Sequence, residues 1–186
     1  LMPSGRDFIV ATRHAAHETG IQLFDIADAD QGIVHVISPE LGIALPGLSL
    51  ICPDSHTCTL GGLGALAWGV GSTEAGHALA TSTLRVSRPQ TMRVSFAGLL
   101  GAGVSAKDLI LFTIRELSAS GGAGYAIEFA GPAIDALPVE ARLTLCNMTT
   151  ELSAFTGLIA PDQKVLDYCA GRRYAPQGQL WDQAAQ

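Results

Sequence analysis

Residues 48–70, LSLICPDSHTCTLGGLGALAWGV, decide how this chain should fold. The run 48–52 is short and aliphatic and lies between Gly47 and Pro53, as a buried strand would. It passes into a turn-rich segment, 53–59, and then into Gly61, Gly62, Gly64, Gly69 and Gly71. Glycines at that density predict places where backbones come close together. A polar loop after a buried strand is where α/β proteins hold ligands, so Asp54, Ser55 and His56 are the first candidate site residues.

Upstream of this stretch, residues 7–18 have a helix-compatible composition and meet Gly20, which suits the position just past a helix end. The apolar run 21–24 and the β-branched run 32–37 both read as short strands. Downstream, 74–84 has the composition of a helix, while Met92, Val94 and Phe96 alternate with Arg93 and Ser95 as in a half-exposed strand. Ser105 with Asp108 forms a capping pattern ahead of a helix at 109–117, which Gly121 and Gly122 would close. Residues 125–129 read as strand, and 139–155 as a helical region interrupted at Thr149 and Thr150. Strands and helices in alternation predict an α/β class, layered, with a largely parallel sheet flanked by helices. That domain is expected over residues 1–170. The shift to RRYAPQGQLWDQAAQ predicts a C-terminal linker or tail over 171–186.

Composition narrows the function. Of the 186 residues 48% are hydrophobic and 15% charged, too apolar a mixture for a disordered linker. A formal charge of −6, with no Lys/Arg cluster, gives no electrostatic reason to bind nucleic acid. The apolar runs stop well short of the roughly 18 residues that suggest a membrane span, and the first residues lack a signal-peptide layout. The expected setting is therefore cytoplasmic. High apolarity at low charge also predicts faces that partners cover.

Several constellations have chemical content. Asp54, Ser55 and His56 suggest a catalytic triad, but three consecutive side chains cannot form a relay that needs residues converging from separate places. They read either as a ligand-binding loop or as a polar turn satisfying nearby amides. His35 reads as a hydrogen-bonded core histidine or as a proton carrier. Asn147 and Glu151, four residues apart, would share one face of a helix, offered to a polar ligand or to solvent. The glycines at 61, 62 and 64 match neither GxGxxG nor GxxxxGK[ST]. Cys52, Cys58, Cys146 and Cys169 lack CxxC spacing and read as buried free thiols. Cys52, His56 and Cys58 leave a metal site open, though their spacing is no standard zinc pattern.

Taken in order, GIVHVISPELGIALPG (32–47), CPDSHTCTLGGLGALAWGVGSTEAGHALAT (52–81), GGAGYAIEFAGPAI (121–134), LCNMTTELSAFTGLIAPD (145–162) and GRRYAPQG (171–178) resemble isopropylmalate dehydratase large subunits, in the aconitase family. The likeness runs from about residue 20 to the C-terminal end. It implies an aconitase-type α/β domain and a hydro-lyase that isomerises 2- and 3-isopropylmalate by dehydration and rehydration in leucine biosynthesis. The family uses a [4Fe-4S] cluster with an open iron as Lewis acid, and a serine on a separate small subunit that takes the carbon-bound proton.

Carried over by motif, Asp54, Ser55 and His56 correspond to the family's substrate-contacting DSH segment. The resemblance puts His35 in the same acid–base network, Asn147 near the cluster or its bound ligand, and Glu151 against the iron-bound hydroxyl. It also implies that this chain is an internal part of a large subunit. The family's cluster cysteines, in CTN and CxxC motifs, have no counterpart here, and neither does the Asp-His element that precedes this region in relatives. No metal or cluster is thus expected on this chain alone, and the chain alone should be inactive. The implied partners are the small subunit, making a heterodimer, the remainder of the large subunit, and a small hydroxy acid. The alternatives are a cluster-free carboxylate-binding or assembly module, or a related dehydratase for another hydroxy acid.

Overall fold

The computed structural model describes residues 5–184 and divides the chain into two units, one ending at Ile33 and the other beginning at Val34. The outermost residues of the expected domain and tail, 1–4 and 185–186, lie outside the described residues. In the first unit, helix α1 (Gly5–Thr19) ends as expected at Gly20, whose φ of 69° is the left-handed conformation glycine favours. Arg13 Nε holds Asp25 Oδ2 at 2.6 Å, tying the helix to the segment that follows, and this guanidinium keeps the Asp25 carboxyl below its usual range. The run 21–24 forms no strand. An apolar run becomes a strand only when a neighbour takes its amides and carbonyls, and no ladder forms here.

The second unit carries the parallel sheets. Strands β1 (Ser49–Cys52) and β2 (Leu66–Gly69) pair in parallel, with Cys52 opposite Gly69. A 3-10 helix, Ser55–Leu63, makes the crossover between them. A second, three-stranded sheet has the order β3 (Gln90–Ser95), β4 (Tyr125–Ala130), β5 (Thr156–Leu158), all parallel. Helix α3 (Ser72–Thr81) follows β2, and α4 (Ala106–Leu117) connects β3 to β4. Helices α5 (Pro132–Asp135) and α6 (Val139–Asn147) lead from β4 towards β5. The expected parallel α/β architecture is present, built as two sheets.

Helix α6 is shared by two cores. Its Leu145 and Cys146 join Ile110, Ile127, Phe129, Ile134 and Leu152 under the larger sheet, whereas its Val139 packs with Leu60, Leu63, Ala67 and Val165. The predicted backbone crowding is concentrated here. A Cβ on Gly61 would stand 1.7 Å from the Gly157 carbonyl oxygen, and one on Gly62 would stand 2.7 Å from the Leu143 amide nitrogen. Thr156 donates its hydroxyl to the Ala67 carbonyl at 2.6 Å, and the Ile159 amide donates to Gly61 at 3.0 Å, so the two sheets are joined through backbone contacts.

Two local expectations need correction. Residues 32–37 form no strand, because helix α2 (Val34–Leu41) occupies the run. A short β-branched run is ambiguous by pattern, and here the amides are satisfied within the helix. Pro39, which has no N–H to donate, keeps that helix short, and Gly42 ends it at φ 75°. Helix α4 does carry the predicted cap, since Asp108 Oδ2 accepts from the Ser105 amide at 2.8 Å and hydroxyl at 2.6 Å. It ends, however, at Ser118, φ 70°, and not at the two glycines. Gly121 and Gly122 instead lie against the carbonyls of Leu117 and Leu152, where a Cβ would stand 2.2 and 2.9 Å away. The region 139–155 is interrupted at Thr149 and Thr150 as expected: α6 gives way after Asn147 to a 3-10 turn, Met148–Leu152, tightened by the Thr149 hydroxyl on the Cys146 carbonyl at 2.7 Å.

Further along, α7 (Gln163–Cys169) begins at Asp162, and α8 (Gln179–Ala184) carries Trp181 against the second core. Between them the Tyr174 amide donates to the Leu41 carbonyl at 2.9 Å, and Arg172 Nη1 donates to that of Glu40 at 2.6 Å.

Candidate functional site

The site grows from the C-terminal ends of β1 and β2. After Cys52 the chain turns at Pro53, and the Asp54 carboxylate caps the 3-10 helix by accepting the His56 amide at 2.7 Å. Gly69, opposite Cys52, leaves room for that turn, since a Cβ there would stand 2.6 Å from the Asp54 carbonyl oxygen. Thr57 and Thr59 point their hydroxyls back onto the carbonyls of Asp54 and His56, at 2.6 and 2.5 Å, which fixes the helix from within. In these contacts the segment is the polar turn that composition allows.

It also gathers charge. Asp54 Oδ1 lies 3.8 Å from His56 Nδ1 and 4.0 Å from His35 Nδ1, and His56 Nε2 lies 3.7 Å from Glu151 Oε1. These separations exceed a hydrogen bond and set an electrostatic neighbourhood that a ligand atom or a small shift would close. Ser55 Oγ stands 3.3 Å from His56 Nδ1. The two imidazoles are 6.2 Å apart between ring centroids, tilted by 47°. His35, carried on α2, has 14% of its side chain exposed, and its Nδ1 is a buried polar atom with no hydrogen-bond partner among the described residues. That nitrogen has Asp54 Oδ1 as its nearest charged neighbour, at 4.0 Å.

The structure thus brings His35, Asp54, Ser55, His56 and Glu151 together. Asn147 is placed differently. Its amide donates to Thr59 Oγ1 at 2.8 Å, and its carbonyl accepts from the Cys58 thiol at 3.5 Å. Asn147 closes α6, whereas Glu151 lies in the following 3-10 turn, so the two do not share a helical face as their spacing suggested. Asn147, Thr59 and the His56 carbonyl form a short chain that holds the histidine's backbone. Thr59 escaped sequence reasoning, although a hydroxyl three residues after His56 is the signal for such a back-bond.

Two clefts adjoin this cluster. One, about 670 Å³, is lined by Asp54, Ser55, Trp68, Arg85, Thr150 and Phe155 among others. The other, about 320 Å³, is lined by His35, Thr59, Asn147 and Tyr168 among others. Trp68 and Phe155 stack at 5.2 Å between centroids, giving the larger cleft an aromatic wall.

The cysteines do not gather into a group that would hold an iron–sulfur cluster. All four are free, and burial pushes each thiol up, Cys146 the furthest, which disfavours the thiolate a metal needs. Among the described residues no three His, Cys, Asp or Glu converge to hold a metal ion, so Cys52, His56 and Cys58 form no such site. No described helix is long and apolar enough to cross a membrane.

Comparison with known proteins places the chain in a family. The sequence model of the aconitase family (aconitate hydratase) matches residues 5–186. The chain is 56% identical over 181 residues to the 3-isopropylmalate dehydratase large subunit 1 of Bradyrhizobium diazoefficiens. That match takes in 97% of this chain and 38% of the relative, so the chain spans about two fifths of the relative's length.

Proposed function

This chain belongs to the aconitase family, and from that premise we propose that it forms part of the large subunit of a hydro-lyase that interconverts 2- and 3-isopropylmalate in the cytoplasm. The reaction removes a hydroxyl and a carbon-bound proton to form an alkene diacid, then adds water back with the hydroxyl on the neighbouring carbon. The supporting observation is His56, held between Asp54 at 3.8 Å and Glu151 at 3.7 Å, with Ser55 beside it and His35 sharing the same aspartate. A hydroxyl departs readily only if it is protonated or polarised, and an imidazole between two carboxylates is suited to hold and pass that proton. Asp54 orients His56 and His35 through Oδ1. Glu151 steadies the imidazolium that forms when His56 is charged.

The polarising iron of the family's cluster would be held by residues other than those described, so the role assigned here is binding and proton transfer. The remainder of the large subunit and a small subunit complete the assembly, as the relative's designation as a large subunit supports. The test is isomerisation of 2-isopropylmalate, followed through the absorbance of the unsaturated intermediate. Turnover is expected from the complete two-subunit assembly and none from the 186-residue chain alone. A complete assembly that turns over another hydroxy diacid but not isopropylmalate would move the assignment to a sister dehydratase. Calorimetric binding of isopropylmalate to an assembly that lacks turnover would favour a carboxylate-binding module.

A further inference from the structure

The larger cleft contains a cation that the proposed proton chemistry does not use. Arg85 lies in the extended segment after α3 and is the one cation lining the cleft among the described residues. The two carboxylates of the lining each accept a backbone amide. Glu74 Oε2 accepts the Gly71 amide at 2.8 Å, and Asp54 Oδ1 accepts the His56 amide and faces two imidazoles. Arg85 makes no hydrogen bond or ion pair with any described residue. Arg85 is therefore the one charged side chain of the lining left without a partner, in a cleft that also carries two carboxylates.

We propose that Arg85 binds a carboxylate of the organic-acid substrate, anchoring it in the cleft beyond the C-terminal ends of β1 and β2 with its reacting carbons towards Asp54, Ser55 and His56. A guanidinium offers a planar pair of N–H donors that matches a carboxylate, and it stays charged at any working pH. The rest of the lining fits an acid with a carbon skeleton better than a mineral anion. Ser87 and Thr150 add hydroxyls, while Trp68, Phe155, Leu84 and Val86 give an apolar wall against which a branch would rest. Because Arg85 is exposed and unpaired, it is free to close onto an acid as the acid enters. Its place at the strand ends is where parallel α/β proteins hold ligands.

This inference rests on the proposed hydroxy-acid chemistry, and its test separates the two. In the complete two-subunit enzyme, Arg85→Gln is expected to raise KM for 3-isopropylmalate about tenfold or more with a smaller change in kcat, and Arg85→Lys to recover part of the loss. Calorimetry with 3-isopropylmalate and its two monoamides supplies the specific signature. Wild type should lose affinity for one monoamide about tenfold or more relative to the diacid, and Arg85→Gln should no longer discriminate between them. Equal discrimination by both proteins, with isopropylmalate still bound and turned over, overturns the Arg85 assignment and leaves the proposed reaction standing. A wild-type enzyme that neither binds nor turns over the diacid overturns both. Inorganic phosphate competing as well as isopropylmalate would mark a general anion site and overturn the assignment to an organic acid.

Discussion

The two walls of the larger cleft are built on opposite principles. One is the turn 53–55, backed by the 3-10 helix Ser55–Leu63, seven of whose residues are buried and whose glycines touch neighbouring backbone. The other is α3 and the segment after it, in which no helix residue is buried and Leu79 is 72% exposed. The first wall brings Asp54 and Ser55 to the cleft, with His56 next along the helix, and the second leads to Arg85. The proton transfer proposed for the first wall tolerates little misplacement, so its groups suit an immobile wall. A residue that must admit and then grip a ligand belongs on the wall with room to move.

The sharpest way to break this contrast is to disturb the immobile wall. Gly61→Ala would set a methyl group 1.7 Å from the Gly157 carbonyl oxygen, which is backbone and cannot rotate aside. The two cores would have to separate where the sheets are joined, and a cost of at least about 3–5 kcal/mol is expected. Urea denaturation should show either that loss or no cooperative transition. A near-native midpoint would mean that this seam is far more plastic than its contacts imply.

Function on that wall should be separable from stability. His56→Ala keeps the backbone amide that Asp54 caps and removes only a side chain that is 37% exposed. In the complete enzyme kcat should fall about 10²–10⁴-fold while the thermal midpoint stays within a few degrees. A matching fall in stability with little change in rate would return the segment to the role of a polar turn.

Much of this contrast is visible in the sequence, and its gaps have physical causes. The glycines at 61, 62 and 69 announced crowding because only close backbone contact rewards so many of them, and the Ser105–Asp108 cap was legible because a cap is local. Helix α2 was not, since Val34, Val36 and Ile37 fit a strand equally well and only tertiary context decides. The division into two sheets was hidden for the same reason, as strand partners lie far apart in sequence. At the site, the motifs named the residues, but convergence of His35, His56 and Glu151 depends on α2 and on the turn after α6. Thr59 and Arg85 matter through what they face, or fail to face, once the chain is folded.

A third prediction concerns the support beneath the immobile wall. Arg142 of α6 is 1% exposed and donates to Asp162 Oδ2 at 2.6 Å and to the carbonyls of Asp135 and Leu137, each at 3.2 Å. The Arg142 hydrogen bond holds the Asp162 carboxyl below its usual range. A depressed folded-state value means that the charged pair contributes stability above the carboxylate's unfolded value of about 4, and loses it as pH falls through the lower folded value. Arg142→Met should cost about 1–3 kcal/mol at neutral pH, reduced from a fully buried pair because Asp162 is 39% exposed. It should also flatten that part of the acid limb in the stability–pH curve. An unchanged acid limb would show that other carboxylates govern acid unfolding.

The smallest effect tests the exposed wall. Gly76 lies within α3, and a Cβ there would meet nothing within 4 Å, whereas the same addition at Gly61 meets backbone at once. Helical alanine has less freedom to lose on folding than glycine, so Gly76→Ala should stabilise the protein by about 0.5–1 kcal/mol in the same urea titration. If the wall's looseness also serves ligand entry, the stiffer helix should slow association with isopropylmalate while leaving the proton-transfer step untouched, because no group on α3 reaches His56. A loss of stability at Gly76 would mean that α3 is covered by a neighbour in the complete assembly, and the two walls would then differ in what packs against them and not in how tightly each is built.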